Sequence, residues 1–467
     1  MSRLLAVLSL LCVLVACKPA PRDDATRIEV WHGFNAEETK VLRDIVADYE
    51  REQSARTGKK VVVDLKFVSY GDMFTKLRTA ALGGMTPDVA FMDAIKVTDL
   101  AFGQALVRLD ELDPFEDRYG SIEAARAEFV GASFDAGLVN RGGEVGLYGL
   151  PVQTTTVALY WNRALFRRDA EKLRAAGLDP SRAPRDWAEL LAYAKVLTDE
   201  QSQSYGFGMS GSLWFLFPYL NMYGVEVVGY GPDGEAQARV NNPNGIAAME
   251  RLLSIVNSGS EGGAWKTSTL APEAGFINEK YAMILMGPWM VENFTNAKLD
   301  FDVSLIPAPT QEEIDRLGLQ PGDPALVGQL GIGAWSSSNV GGQTGVILRS
   351  CEDRIAAYEF LEYFTDEPQQ RRWAESLGQI PVRLSAWDDL DTSRYPYLPA
   401  FMTQLRLAKR IPQVPLFALL ERDVFNAETQ LLLNGRITPE EMLANVERGM
   451  EAVVLSRVNE AVELSGE

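Results

Sequence analysis

The chain has 467 residues, with 64 Asp and Glu against 45 Lys and Arg, and its formal net charge is −19. Such an acidic balance argues against nucleic-acid binding, which requires a basic face. The single histidine, His32, excludes a multi-histidine zinc site, and the sequence has no GxxxxGK[ST] loop for a nucleotide. We therefore expect no metal and no cofactor. A chain of this length is expected to fold as two lobes.

The first residues, 1–17, have the pattern of an export signal. Arg3 precedes an apolar run over 4–16 that is too short to span a bilayer and is typical of a signal peptide. The run ends in LVAC, which resembles a bacterial lipobox, in which Cys17 is acylated and becomes the first mature residue. Residues 18–27 predict a polar tether. We expect a lipoprotein anchored on the periplasmic or extracellular side of a membrane; a plain secretory signal and an uncleaved anchor are the alternatives.

The folded body opens with alternating strands and helices. IEVWHGF, VVVDLKFV and DVAFMD predict strands, and the segments between them have helical periodicity. Asn35 and Glu38 have capping-box spacing at the first helix start. This alternation predicts a parallel, layered α/β sheet. Because ligands bind beyond the carboxyl ends of such strands, Asn35, Tyr70 and Asp93 are expected near one another on a cleft wall.

The rest of the chain continues the alternation and then becomes mostly helical. Strands are predicted over LPVQTTTVALYWN, over YAMILM before a Gly-Pro step, and over LVGQLGIGAW. Helices are predicted near 163–175 and 184–198 and over GSLWFLFPYLNMYG. The last helix begins with Thr438 as its N-cap, followed by proline and two glutamates.

Several segments, taken in order, resemble the maltose-binding-protein-like family of ABC-transporter extracellular solute-binding proteins (family 1). They are IEVWHGF, TPDVAFMD, LPVQTTTVALYWNRALF, PRDWAELLAYAKVL, AMILMGPWMVENF and AAYEFLEYFTDEPQQRRWAESLGQIPVR. The most specific is AMILMGPWMVENF, which matches the family pattern A-M-x-x-x-G-P-W. The resemblance covers nearly all of the mature chain.

The resemblance implies an α/β, two-lobed periplasmic-binding-protein fold of type II, whose lobes are joined by crossing hinge strands. The first lobe would comprise residues 28–153 and 328–365, and the second 154–327 and 366–467. The implied function is binding, without catalysis, of a mono- or oligosaccharide in the cleft between the lobes. The implied partners are this sugar-like ligand and the permease subunits of an ABC importer, and the protein is expected to be a monomer.

The resemblance also implies which residues contact the ligand. Trp289 matches the position that stacks on the ligand, Trp214 falls where an aromatic contact is common, and Asp93 matches the acceptor of hydroxyl hydrogen bonds. Further cleft positions are Asn35, Tyr70, Thr155, Gln329 and Arg383. Aromatic platforms with polar neighbours suit a sugar, which has flat C–H faces and a rim of hydroxyls. Structural alternatives stay open: core packing or helix capping for the aromatic residues and Asp93, backbone hydrogen bonds for Thr155 and Gln329, and an ion pair for Arg383.

The ligand class itself has alternatives. Thr155 stands where the maltose-binding pattern has an acidic residue, and one tryptophan platform is missing or replaced by Phe417. The WHGF opening resembles relatives that bind glycerol phosphates, for which Arg383 and His32 would be the available cations. A glycerol-phosphate or phosphodiester receptor is therefore the first alternative. A secreted carbohydrate-active enzyme that uses paired carboxylates and a sensor lipoprotein are the others.

Overall fold

The computed structural model describes residues 25–141, 144–231, 235–456 and 459. The predicted signal peptide and Cys17, the predicted acylation site, lie outside these residues. The first strand begins at Thr26, so the last two residues of the expected tether belong to the folded body. Within the described ranges, every helix is too short or too polar to cross a membrane.

Strands alternate with helices up to the middle of the chain, and helices dominate its last part. In the described residues, the strands are β1 (Thr26–His32), β2 (Val61–Phe67), β3 (Val89–Asp93), β4 (Leu138–Arg141), β5 (Glu144–Leu147), β6 (Leu150–Thr155), β7 (Ala158–Asn162), β8 (Tyr205–Gly208), β9 (Val228–Tyr230), β10 (Ala236–Ala238), β11 (Tyr281–Met286), β12 (Phe301–Ser304), β13 (Asn339–Ile347) and β14 (Lys409–Arg410). The α-helices there are α1 (Ala36–Thr57), α2 (Tyr70–Gly83), α3 (Val97–Phe102), α4 (Asp113–Tyr119), α5 (Ile122–Glu128), α6 (Gly131–Phe134), α7 (Arg163–Arg168), α8 (Ala170–Ala175), α9 (Trp187–Leu197), α10 (Leu213–Met222), α11 (Pro243–Asn257), α12 (Pro272–Ile277), α13 (Val291–Asn296), α14 (Gln311–Leu317), α15 (Val327–Leu330), α16 (Arg354–Thr365), α17 (Glu367–Leu377), α18 (Leu398–Leu407), α19 (Phe417–Leu419), α20 (Asn426–Leu433) and α21 (Pro439–Met450).

The first lobe is built on a six-stranded sheet in the order β14-β13-β3-β1-β2, with β6 also paired to β13. β1 runs parallel to β2 and β3, so the predicted parallel α/β layer is confirmed there, whereas β13 runs antiparallel to β3. Helix α1 buries Leu42 and Ile45 on one face of this sheet, and α2 buries Met73 and Leu77 on the other. β3 is therefore buried on both faces, as its continuous apolar run indicates, whereas β1 and β2 expose charged residues such as Arg27 and Asp64.

The second lobe is built on a four-stranded sheet in the order β12-β7-β11-β8. β7 is antiparallel to β12 and β11, and β8 is parallel to β11. All residues of β11 are buried, which agrees with the apolar run YAMILM. Trp187 of α9 and Leu216 of α10 pack in the core of this lobe.

Two strands connect the lobes. β6 of the first sheet leads directly into β7 of the second. β13 places Val340 in a core of the second lobe and Ile347 in the core of the first. Between them Gly342 has φ +137°, and a Cβ atom there would overlap the carbonyl oxygen of Gln153. Only glycine therefore lets β13 pass this close to β6.

The first lobe extends past its expected end at residue 365. Helix α17 buries Trp373 and Leu377 in the core that also contains Phe91. The rings of Trp373 and Phe34 lie 4.9 Å apart. α17 therefore packs with the first lobe, although the boundary drawn from the sequence places it in the second.

The strand predicted over LVGQLGIGAW is wrong. This segment forms α15 and a 3-10 helix that ends at Trp335. Trp335 donates its indole N–H to the carbonyl of Leu319 at 2.9 Å, and Ile332 packs against the second-lobe core, past the boundary expected at residue 328. A short apolar run has no periodicity that separates a strand from a buried helical turn, which explains the error.

Candidate functional site

A cavity of about 460 Å³ lies between the lobes. This volume falls in the range of small-molecule sites, about 300–1,000 Å³. The first lobe and the hinge strands supply Gly33, Asn35, Glu38, Tyr70, Asp93, Ile95, Lys96, Gln153, Thr155, Gly342 and Gln343; the second lobe supplies Leu213, Trp214, Phe217, Trp289, Ile411, Phe417 and Glu421. Because both lobes form the walls, a change in the angle between them changes the cavity.

Most of the residues expected in the cleft line this cavity. They are Asn35, Tyr70, Asp93, Thr155, Trp214 and Trp289. The first three lie at or just after the ends of β1, β2 and β3, which run parallel and so finish at one edge of the sheet. The rule that places ligands at this edge therefore identified the first-lobe wall.

The cleft position expected for Arg383 is wrong. Arg383 is 2% exposed and lies in the first lobe, where its guanidinium stands 4.1 Å above the ring of Phe129. Its N–H groups donate to Glu128 at 2.5 Å, to the Thr365 carbonyl at 3.0 Å and to the Tyr119 hydroxyl at 3.2 Å. These partners occupy the cation, so Arg383 is a structural residue.

Gln329 also lies outside the cavity, exposed on α15. The glutamines that do line the cavity are Gln153 of β6 and Gln343 of β13, and Gln343 Nε2 donates to Gln153 Oε1 at 3.4 Å. Neither was expected from the sequence. The pairing joins positions 190 residues apart, and no local pattern marks it.

Two tryptophans form the aromatic part of the wall. The rings of Trp214 and Trp289 lie 6.5 Å apart at an angle of 58°, and both residues are partly exposed. The Trp214 ring packs so closely on the backbone of Gly341 that a Cβ atom there would overlap it. Phe417 also reaches the cavity, stacked on Phe217 at 6.3 Å. The two indoles therefore offer apolar faces on the second-lobe side.

Glu38 is a buried carboxylate at the opposite wall. Its oxygens accept hydrogen bonds from the backbone N–H of Asn35 at 2.8 Å, from Gln153 Nε2 at 2.9 Å and from Gln379 Nε2 at 2.7 Å. Gln379 in turn accepts from the Trp373 indole at 2.9 Å. Burial raises the pKa of Glu38, and these hydrogen bonds oppose the rise. The network ties the start of α1 to the hinge strand β6.

The predicted capping box at α1 limits what Asn35 can offer. The side-chain oxygen of Asn35 accepts from the N–H groups of Glu37 and Glu38, both at 3.0 Å. This oxygen is therefore committed to the helix, and the amide nitrogen is left for other contacts. The sequence identified the Glu38 cap but not its place in the cavity.

Asp93 and Glu421 are two further carboxylates that face the cavity, and Lys96 is the cation near both. Lys96 Nζ lies 3.5 Å from Asp93 and partly offsets its charge. Burial raises the pKa of Asp93 and of Glu421, and the charge of Lys96 opposes both shifts. With Glu38, the cavity wall has three carboxylates against one ammonium group. The site is therefore rich in acceptors and poor in positive charge.

Two buried polar atoms on the wall have no hydrogen-bond partner in the described residues. They are Thr155 Oγ1 and Gln343 Oε1, on residues 7% and 5% exposed. A buried polar atom without a partner costs about 1–3 kcal/mol. A ligand hydroxyl in the cavity would supply such a partner.

His32 is not available as a cation. The residue is 2% exposed and is absent from the cavity lining. Burial, helped by the charge of Arg43, lowers its pKa to about 4. His32 is therefore neutral near pH 7. In the part of the chain that the structure describes, no group of three or more His, Cys, Asp or Glu side chains is arranged to hold a metal ion.

Comparison with known families points to the same family of solute-binding proteins as the sequence motifs. The model of the family "Bacterial extracellular solute-binding protein" matches residues 35–371. The chain belongs to this family. The match spans both lobes and includes most of the cavity residues, from the start of α1 to Gln343.

Individual members of the family are distant in sequence. The galactooligosaccharide-binding protein of Bacillus subtilis is 22% identical over 86% of this chain and 85% of its own length. The sn-glycerol-3-phosphate-binding periplasmic protein UgpB of Pectobacterium atrosepticum is also 22% identical, over 94% of both chains. These relatives are binding proteins.

The fold has solved counterparts. The GacH receptor of Streptomyces glaucescens, known in the unliganded form and with acarbose, matches with a TM-score of 0.74 and 20% identity over 92% of this chain and 98% of that chain. A maltose/maltodextrin-binding MalE domain from Bdellovibrio bacteriovorus matches with a TM-score of 0.70 and 18% identity, over 91% and 99%. The two-lobed, maltose-binding-like α/β fold expected from the sequence is confirmed.

Proposed function

We propose that this solute-binding protein serves an ABC importer and that it holds an uncharged sugar unit of a mono- or oligosaccharide between its lobes. The observation that carries the proposal is the pairing of two partly exposed indoles, Trp214 and Trp289, with a wall of carboxylates and amides. Indoles pack on the C–H faces of a sugar ring, and carboxylates accept hydrogen bonds from its hydroxyls. The galactooligosaccharide-binding relative supports this ligand class.

Contacts between the lobes support binding by closure. Asp99 of the first lobe accepts a hydrogen bond from the backbone N–H of Leu416, which belongs to the second lobe, at 2.5 Å. Ile95 packs against the second-lobe core from the first lobe. A ligand that contacts both walls stabilises the closed form more than the open one. The closed form, which differs in shape from the empty one, then docks on the permease.

The pattern of residues 1–17 supports a proposal for where the protein acts. We infer that the protein is exported, is acylated at Cys17 and acts as a monomer on the periplasmic or extracellular side of the membrane. The anchor keeps the protein near the permease and raises its effective concentration there. Metabolic labelling with a fatty-acid analogue tests this: Cys17→Ser abolishes incorporation if Cys17 is the acylated residue.

A glycerol-phosphate receptor is the second candidate, because relatives of that kind match the chain along most of its length. The wall of the cavity weighs against it. Lys96 is the sole cation among the lining residues, and it stands beside Asp93. A phosphate that fills the cavity would also face Glu38 and Glu421. We propose binding without catalysis. Turnover of a chromogenic glycoside that is lost in Asp93→Asn would contradict this proposal.

A thermal-shift screen of the body lacking residues 1–17 tests the proposal. The panel contains neutral mono- and oligosaccharides, polyols and glycerol phosphates. A ligand at about 100 times its dissociation constant adds about 2.7 kcal/mol of stability, which raises the melting temperature by a few degrees. We expect a saturable shift with a neutral sugar. A shift with glycerol phosphates alone would favour the second candidate, and no shift with any compound would refute both.

A further inference from the structure

A second, larger depression opens beside the cavity. This groove has a volume of about 1060 Å³, more than twice the 460 Å³ of the cavity. Lys96 and Glu421 line both, so the groove continues the cavity toward the outside. Its first-lobe wall is the face of α2 that carries Phe74 and Arg78, and Leu416 and Arg422 face it from the second lobe. A ligand longer than the cavity can extend into this groove.

The charge of the groove differs from that of the cavity and of the whole chain. At the junction, Lys96 and Glu421 have opposite charges. Beyond it the groove has three arginines, Arg78, Arg349 and Arg422, and one acidic residue, Asp99. The groove is therefore positive beyond the junction, on a protein whose formal net charge is −19.

In the described residues, neither Arg78 nor Arg349 of the first lobe forms a salt bridge, and Arg78 acts on the carboxyl group of Asp99 through its charge alone. Arg78 lies with its guanidinium 5.6 Å from the centre of the Phe74 ring, and Lys96 Nζ lies 5.9 Å from the same ring. Arg349 donates to the side chain of Gln104 at 3.2 Å, which leaves its charge uncompensated. Arg78 and Arg349 are positioned by an aromatic and an amide contact, so their charges are available to an anion, whereas Lys96 is paired with Asp93.

The remaining charges of the groove are already engaged. Asp99 accepts the N–H of Leu416 at 2.5 Å; burial raises the pKa of its carboxyl group, and the charges of Arg78 and Lys96 oppose the rise. Arg422 pairs with Asp423 at 2.5 Å on the rim. The positive charge that an anion meets first is therefore that of Arg78 and Arg349.

We propose that the groove binds an anionic group on the part of a longer saccharide that extends beyond the cavity. The inference rests on the proposed function: an uncharged sugar unit sits between the indoles, and the next unit carries a carboxylate or a phosphate ester toward Arg78 and Arg349. Apolar groove residues, Phe74 and Leu416, contact the C–H face of this second unit. Since the groove is lined by both lobes, an acidic ligand also adds contacts that favour closure.

Isothermal titration of the mature protein with matched sugar pairs tests this. Each pair is a neutral disaccharide and a counterpart with a carboxylate on one unit only, for example galactobiose and galacturonosyl-galactose, and a disaccharide phosphate is added as a third arm. We expect an acidic member to bind at least about tenfold more tightly than its neutral partner at low salt, and raised salt to reduce this advantage. If the uronic acid binds more tightly than the phosphate, the anionic group that the groove prefers is a carboxylate. If the phosphate binds more tightly, it is a phosphate ester.

Charge-removing variants localise the effect. Arg78→Gln and Arg349→Gln are each expected to weaken binding of the acidic member about fivefold, the upper end for an exposed ion pair, and to leave the neutral member unaffected. Arg316→Gln is the matched control, because Arg316 is an exposed arginine of α14 outside cavity and groove. Equal affinity for acidic and neutral members, or an acidic preference that survives the double variant, overturns the inference. Neutral sugars that still bind in that case leave the proposed function intact, whereas the absence of any sugar binding refutes both.

Discussion

The indole ring of Trp289 lies over the backbone of Gly287, so closely that a Cβ atom on Gly287 would overlap the ring. Gly287 has φ −97° and ψ 173°, which alanine also adopts without strain. Gly287 therefore matters for the position of the ring and not for the turn. The Gly-Pro-Trp motif thus has a physical explanation: the first residue leaves room for the third to face the cavity.

Gly287→Ala is expected to displace the Trp289 ring and to weaken sugar binding about tenfold or more. The overlap also costs about 1–3 kcal/mol of stability, as crowding in a packed site does. Titration calorimetry measures the affinity, and chemical denaturation the stability. Gly328→Ala is the control, because a Cβ atom there meets nothing within 4 Å. Unchanged affinity in Gly287→Ala would mean that the position of this ring does not matter for the ligand.

Arg383→Leu separates a structural residue from a ligand contact. We expect the free energy of unfolding to fall by about 2–4 kcal/mol, because the buried carbonyl of Thr365 and the Tyr119 hydroxyl lose their donor. The affinity of the folded protein for its sugar should stay the same. Arg406→Leu, which breaks an exposed pair with Asp323, should cost less than about 1 kcal/mol. A large loss of affinity with stability unchanged would restore Arg383 to the site.

Glu38→Ala tests the network between α1 and the hinge. The variant leaves Gln379 Nε2 without its acceptor and removes one of the two acceptors of Gln153 Nε2, so we expect a loss of about 2–4 kcal/mol in unfolding free energy and weaker sugar binding. Glu37→Ala removes an equal charge from the same helical turn and should cost less than about 1 kcal/mol. Similar stabilities for the two variants would show that the network contributes little.

His32 provides a pH test that a single resonance can report, since the chain has one histidine. Burial lowers its folded pKa from 6.5 to about 4, so the unfolded chain binds more protons between these values. This group therefore makes stability fall as pH drops from about 6.5 to 4, by up to about 3 kcal/mol. Buried Glu38 acts in the opposite direction, because burial raises its pKa.

Nuclear magnetic resonance of the imidazole C–H groups in untagged protein measures this pKa directly. The resonance should hardly move between pH 8 and pH 5, with a midpoint at about 4. The same protein in denaturant supplies the control, with a midpoint at about 6.5. A midpoint near 6.5 in the folded protein would contradict the burial of His32 and return it to the list of available cations.

The sequence predicted the first-lobe wall of the cavity because the rule behind it is local. Strand ends can be read from apolar runs, and parallel strands bring Asn35, Tyr70 and Asp93 to one edge. Trp289 was found through a specific motif of adjacent residues. These positions needed no knowledge of contacts between distant segments.

Residues that depend on distant contacts could not be predicted. Arg383 pairs with Glu128, 255 positions away, so its burial leaves no trace in the residues around it. Gln153 Nε2 donates a hydrogen bond to Gln379 Oε1, although the two residues are 226 positions apart in the sequence. The same limit explains α17, whose amphipathic pattern predicts a helix but not the lobe on which that helix packs.

Titration of the wild type, Trp289→Ala and Trp387→Ala with the sugar found in the thermal-shift screen tests the central claim most directly. Trp387 is a partly buried tryptophan outside the cavity, so it controls for the loss of an indole. We predict saturable binding by the wild type, a loss of about tenfold or more in Trp289→Ala, and retained affinity in Trp387→Ala. Equal affinity of all three proteins would contradict a sugar site between the lobes.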